Sequence, residues 1–227
     1  MNKKNILCFV TLVFCSVFSH AENGKAEPGV IRNSESVTLD YSDFETTDLW
    51  EAKVKDGKAD TKVITDKELD TKVLRLRSNQ ASYYFQKSVN VDLDKYGRLT
   101  FKWKVKKHPK GGDVRKRSTD DQAAQVLLAF EGRNLISYIW DPTAPVGYTK
   151  DSSIPFIVSQ KILVVQSGDD REDKNEWFTI TRDIKADYKK LYGREAPKLG
   201  GVAVQINSQH TESFCEAHIS PLKFEKN

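Results

Sequence analysis

Residues 99–106 alternate strictly, with Leu99, Phe101, Trp103 and Val105 apolar and Thr100, Lys102, Lys104 and Lys106 polar. Successive side chains of a strand point to opposite faces, so this pattern predicts a half-buried strand with Trp103 in the core and a wet lysine face. Segments of similar length recur at 37–41, 61–65, 73–77, 82–89, 123–130, 135–140, 161–167, 177–183, 201–206 and 214–224. Turn-formers separate many of them, among them Asp56-Gly57, Tyr96-Gly97, Gly111-Gly112, Ser167-Gly168 and Gly200-Gly201. Many short strands joined by turns predict an all-β, antiparallel β-sandwich. Val126-Leu-Leu-Ala-Phe130 and Ile162-Leu-Val-Val165 are apolar on both faces and should be covered on both. One short helix is predicted over 184–192, with Ile184, Tyr188 and Leu191 on one face and Gly193 closing it.

The N-terminus has a different pattern. Lys3 and Lys4 precede a 13-residue apolar run, 6–18, and then Ser19-His20-Ala21. This is the layout of a secretory signal peptide over 1–21. The run is short of the ~18–20 residues that a membrane-spanning helix needs. Residues 22–36 read as a flexible tail and 37–227 as a single domain. The expected location is periplasmic or secreted, with the chain soluble after cleavage. Cys8 and Cys15 leave with the signal, so the remaining Cys215 has no internal disulfide partner and the domain must rest on its core. The formal charge of +4 falls to +2 without Lys3 and Lys4, and nucleic acid is not an expected partner.

Candidate chemistry is sparse. Residues 102–117 hold eight basic side chains, Arg115 and Arg117 among them, against Asp113 alone. Such a face could hold an anionic envelope polymer, or merely blunt a sheet edge. Asp120 and Asp121 precede an apolar strand. As neighbours they point to opposite faces and form no catalytic dyad; one is expected to pin the loop by pairing with Arg115 or Arg117. Tyr138 and Trp140 share a strand face before Pro142 and could stack on a pyranose ring or close the core's end. His108, His210 and His218 lack metal-ligand spacing, so no metal or cofactor is expected; His210, in a polar loop, is the one histidine to consider for proton transfer. No nucleophile elbow, P-loop or dinucleotide fingerprint occurs.

Several segments recur in order: Trp103 in its strand, Lys110-Gly-Gly-Asp-Val-Arg115, Asp120-Asp121-Gln-Ala-Ala-Gln-Val126, Ser137-Tyr-Ile-Trp140, Val165-Gln-Ser-Gly168, Trp177, Arg182 to Tyr188, and Leu191-Tyr-Gly193. In these the chain resembles the bacterial exported family known as domain of unknown function 3047. The resemblance implies an envelope-associated, β-rich domain and no established activity. The layout is also similar to the jelly-roll modules of carbohydrate-binding proteins. One loop departs from the family, which has aspartates where this chain has Asn207 and Gln209. That removes the carboxylates a calcium site would want.

The expected function is therefore a binding module without catalysis, for a glycan or an anionic envelope polymer. Its candidate ligand residues are Arg115, Arg117, Asp120, Asp121, Tyr138, Trp140, Asn207 and His210. The alternatives are a glycan hydrolase or lyase using Asp120 or Asp121 with His210 or an arginine, and an envelope protein–protein interaction domain.

Overall fold

In the computed structural model, which describes residues 29–41, 44, 49–168 and 176–227, the predicted alternation becomes two facing sheets. The expected signal peptide lies outside the described residues. The first sheet holds β1 (Val30–Arg32), β2 (Ser36–Leu39), β4 (Asp60–Asp66), β5 (Thr71–Asn79), β7 (Arg98–Lys107), β12 (Phe178–Asp183), β14 (Phe214–Ile219) and β15 (Leu222–Glu225). The second runs in the order β10 (Thr149–Asp151), β11 (Ser159–Ser167), β9 (Asn134–Asp141), β8 (Ala124–Phe130), β13 (Leu199–Asn207), β6 (Ser82–Val91), β3 (Glu51–Asp56). Sheet pairing begins at Val30, inside the segment expected to be a flexible tail, because β1 pairs with β2.

Inward-facing alternate residues make one core. Leu99, Phe101, Trp103 and Val105 of β7 meet Val126, Leu128 and Phe130 of β8 and Val202, Val204 and Ile206 of β13. Trp103 and Trp140 meet across the layers with ring centroids 6.0 Å apart. Cys215 is buried, and burial pushes its thiol pKa well up, as befits a small core residue. The 214–224 segment is one strand interrupted: Pro221 has no N–H, and β14 and β15 run in succession along the same edge of β7. Ser220 spans the break, its N–H donating to the Lys102 carbonyl (2.9 Å) and its hydroxyl accepting from the Lys102 N–H (2.8 Å).

The helix α1 (Ile184–Tyr192) forms as expected. Asp183 caps it by accepting from the Ala186 N–H at 2.9 Å, and Gly193 ends it at φ 69°, a left-handed conformation that suits glycine. Its Asp187 is buried and accepts from the Tyr138 hydroxyl at 2.9 Å and from Arg182 Nε at 2.8 Å. The lysine face of β7 is not uniformly wet. Lys104 is buried beneath Trp177, within 3.0 Å of Glu68 and 3.8 Å of Asp66.

One pairing departs from the antiparallel expectation: β11 runs parallel to β9. A two-residue hairpin cannot join parallel neighbours, so the chain must travel back along the sheet. Segment 142–158 does this, forming β10 on the way. Its apolar residues come down on the outer face of the second sheet, where Ile154 and Val158 pack on Tyr84, Leu127, Ala129, Leu135 and Ala203. That contact explains why β8 is buried at every position.

Leu128→Ala, at a site with no exposure between the sheets, is expected to lower stability by about 2–5 kcal/mol. The check is a lower urea midpoint at unchanged m-value. A loss below about 1 kcal/mol would contradict the packing described.

Candidate functional site

Period two decides what the second sheet presents outward. In β13 and β8, Val204 and Val126 face the core, so Gln205 and Gln125 face away from it. The register sets Gln205 directly opposite both Gln125 and Tyr84, which makes a continuous row across three strands. Segment 142–158 covers this face on two sides. Ile154 and Val158 lie on one flank; on the other, Val114, Ala144 and Tyr148 pack on Ile139, Ile162 and Val164. Between the flanks remains a cleft of about 80 Å³ lined by Tyr84, Gln122, Gln125, Gln205, Asn207, Gln160, Asp120, Ser152 and Lys55, with Leu127, Leu135 and Ile162 beneath. A second hollow of about 340 Å³ lies between 90–94 and 196–198 and holds none of the candidate residues.

The cleft's frame is tied by buried polar groups. Asn207 uses its whole amide: Oδ1 accepts from the Gln122 N–H (3.0 Å) and from Gln125 Nε2 (2.7 Å), and Nδ2 donates to the Asp120 carbonyl and to Asp121 Oδ1 (both 2.8 Å). Asp121 has no exposure; its Oδ2 accepts from the Thr211 N–H (2.7 Å) and hydroxyl (2.8 Å). His210 Nδ1 sits 3.4 Å from Asp121 Oδ1, and that carboxylate raises the pKa of the imidazole. Asp141, also buried, accepts from the N–H groups of Val114 (2.7 Å) and Ala144 (2.6 Å), tying the basic loop to the crossover. Gly112 allows that approach, since a Cβ there would lie 2.5 Å from the Asp121 carbonyl.

The cleft's floor is less fully bonded. Gln125 Nε2 goes to Asn207 and Gln160 Nε2 to the Ser137 hydroxyl (2.8 Å), while neither Oε1 accepts a bond among the described residues. The Gln205 amide and the Tyr84 hydroxyl have no hydrogen-bond partner among the described residues, although Gln205 is only 8 % exposed and Tyr84 2 %. Neither polar end is among the wholly enclosed unpartnered atoms of the described residues; both open onto the cleft. Burial pushes the Tyr84 pKa up to about 12, so it is a neutral hydroxyl that can donate and accept.

Residues 48–223 match the family described as "Protein of unknown function (DUF3047)". The chain belongs to the DUF3047 family. No curated protein matches this DUF3047 chain. Among solved structures it is similar to the family 11 carbohydrate-binding module from Clostridium thermocellum in complex with a β-1,3-1,4-mixed-linked tetrasaccharide, at 13 % identity and TM-score 0.42, over 86 % of this chain and 98 % of that one. It is similar also to the family 11 module of the cellulosomal cellulase Lic26A-Cel5E of Clostridium thermocellum, at 11 % identity and TM-score 0.44, over 86 % and 97 %. A third is the xyloglucanase domain of NopAA from Sinorhizobium fredii in complex with cellobiose, at 10 % identity and TM-score 0.43, over 78 % and 96 %. At these scores the likeness carries no argument about what the DUF3047 chain binds.

Four of the eight residues predicted from sequence converge in the DUF3047 fold: Asp120 and Asn207 line the cleft, with Asp121 and His210 directly behind them. Asp120 and Asp121 do diverge, but the expected arginine pairing is corrected. Asp120 pairs with Lys150 at 2.7 Å, while Arg115 grips Asp113 through Nε (2.7 Å) and Nη2 (3.0 Å) and holds that carboxyl down at about 2. Arg117 is exposed on a 3-10 turn, Arg117–Thr119. Tyr138 and Trp140 are corrected as ligand platforms. Tyr138 is fully buried, and Trp140 packs on Trp103, His108 and Phe178 with its Nε1 donating to the Gly168 carbonyl. Both close the core. Gln125, Gln160, Gln205, Tyr84 and Lys150 were not predicted. Their signal was a glutamine at an outward position of an otherwise apolar strand, twice over in β8 and β13.

His210 gives the DUF3047 domain a pH dependence. Its pKa is raised in the folded state, so its contribution to stability is full below the unfolded value of about 6.5 and fades as pH rises through the higher folded value. The stability lost in His210→Ala should therefore be larger at pH 5 than at pH 9. Equal urea midpoint shifts at both pH values would contradict the Asp121 contact.

Proposed function

We propose that this protein is an exported, non-catalytic binding module that takes a neutral, hydroxyl-rich glycan in the cleft on its second sheet. One observation carries the reading: the Gln205 amide and the Tyr84 hydroxyl stand nearly buried, side by side and unbonded. A sugar hydroxyl donates and accepts at once, so a row of hydroxyls matches an amide, a phenol and the free oxygens of Gln125 and Gln160. Each such contact exchanges a bond to water for one to the sugar and is worth about 0.5–1.5 kcal/mol.

Charge favours a neutral glycan over an anionic polymer. Asp120 is balanced by Lys150 at the cleft, and Lys55, the other charged lining residue, lies over the Tyr84 ring, so the cleft holds no cluster of cations. The lysines of β7 stand on the other sheet, where Lys104 is already paired with Glu68 and Asp66. Glycoside hydrolysis uses two carboxylates across a cleft, and Asp120 is the one carboxylate among the described lining residues. That supports binding over hydrolysis. The positive start, 13-residue apolar run and Ser19-His20-Ala21 support export to the periplasm or beyond.

Affinity electrophoresis through neutral and acidic polysaccharides tests this reading. The protein should be retarded by a neutral polysaccharide. Gln205→Leu should weaken retention about 3–10-fold, the worth of one hydrogen bond, with thermal stability unchanged or raised because an unpaired amide is gone. Retention by no polysaccharide, or equal retention of both proteins, would overturn it.

A further inference from the structure

The segment that walls the cleft carries a side chain the fold does not use. Phe156 is 102 % exposed, and Ile157 beside it is 47 % exposed. The other phenylalanines of the described residues pack on the core or on a neighbouring side chain: Phe85, Phe101, Phe130 and Phe224 are buried, Phe44 and Phe178 pack on the core, and Phe214 lies under Lys107. Phe156 also holds φ at 63°. That left-handed conformation disfavours bulky residues, and a glycine or asparagine would make the turn more readily. Folding alone therefore does not select phenylalanine here. An outlier of this kind points toward function.

The tip is built rather than loose. The Ile154 N–H donates to the Val158 carbonyl at 2.8 Å and the Val158 N–H to the Ile154 carbonyl at 3.1 Å, closing the turn around Phe156. Arg133 Nη1 donates to the Phe156 carbonyl at 3.4 Å. The Ser153 hydroxyl accepts from the Gln160 N–H at 3.0 Å, which binds the loop's base to β11. The residues on either side of the tip, Ile154 and Val158, sit on Tyr84, Leu127 and Leu135 of the cleft, and Ser152 of the same loop lines it. A bare aromatic ring thus stands on a hydrogen-bonded turn of the loop that walls the polar cleft. That pairing suits a pyranose, which has hydroxyls around its rim and C–H groups on its face.

We propose that Phe156 is a further ligand-binding residue, stacking on the apolar face of a pyranose ring of the same glycan chain that Gln205 and Gln125 hold further along the sheet, since Arg133 at Phe156 and Gln125 stand at opposite ends of β8. This rests on the glycan reading above. The stacked ring belongs to a sugar with several axial C–H groups on one face, and the site takes an oligosaccharide long enough to run the length of β8 from the cleft to the tip.

The test is calorimetric titration of the full chain, Phe156→Ala, Phe156→Trp and Gln205→Leu with soluble oligosaccharides from the polysaccharide that retards the wild type. Because the Phe156 ring packs on nothing, Phe156→Ala should keep the wild-type near-UV spectrum. It should bind about tenfold more weakly, as expected for one lost aromatic contact of about 1.4 kcal/mol. Phe156→Trp should bind as well as the wild type or better, and the loss in Phe156→Ala should vanish for the monosaccharide. If Phe156→Ala binds like the wild type while Gln205→Leu is weakened, the cleft reading stands and the stacking role falls. If Phe156→Ala instead abolishes self-association in sedimentation, or capture on phospholipid vesicles, without changing glycan affinity, the ring serves a second copy or a lipid surface and the proposal is overturned.

Discussion

The parallel pairing of β9 with β11 decides what covers the second sheet. Antiparallel neighbours could have been joined at one end, leaving that sheet's outer face open. Parallel neighbours require a return along the face, and segment 142–158 supplies it. The two apolar clusters under that segment hold it down. The cleft is the strip of sheet that the crossover leaves uncovered, and Phe156 stands on the crossover itself. The core of the sandwich fixes the sheet; the crossover turns a sheet surface into a site.

The site's polar groups then fall into two sets with different work. Asn207, Asp121 and Asp141 are saturated with bonds at short range and hold loops to strands. Their burial makes them expensive to disturb, so they position rather than bind. An aspartate in place of Asn207 would set a carboxylate against Asp121 with no proton to share, so the neutral amide suits this arrangement. Gln205, Tyr84 and the free ends of Gln125 and Gln160 form the second set. These groups lie nearly as deep but keep capacity open, and that separation is the physical basis for the proposal that the cleft binds a ligand.

Much of the sandwich was legible in the sequence, because period-two alternation reports burial directly. The pattern in 99–106 placed Trp103 correctly, and Ile184 to Gly193 carried its own helix and stop. The strands that escaped notice, β1, β3 and β10, are short or charged edge strands with little apolar alternation. The break in 214–224 was hidden by continuous apolar alternation, although Pro221 marked it. The site was less legible. That Asp120, Asp121, Asn207 and His210 come together was legible because polar loops abut strand ends, but what Asp120 pairs with depends on Lys150, a partner thirty residues away. Tyr138 and Trp140 misled because a strand exit can face solvent or core equally well in sequence. The parallel register, on which the crossover depends, left no local sequence signal at all.

The central claim is that the unbonded amides on the second sheet meet the ligand. It is tested most directly by following the side-chain NH₂ signals of the glutamines by NMR while a soluble neutral oligosaccharide is added. Saturable shifts at Gln205, Gln125 and Gln160, with the Trp177 indole on the opposite sheet unmoved, are the predicted result. Shifts confined to the Trp177 and Lys104 face, with those three amides unchanged at saturation, would contradict it.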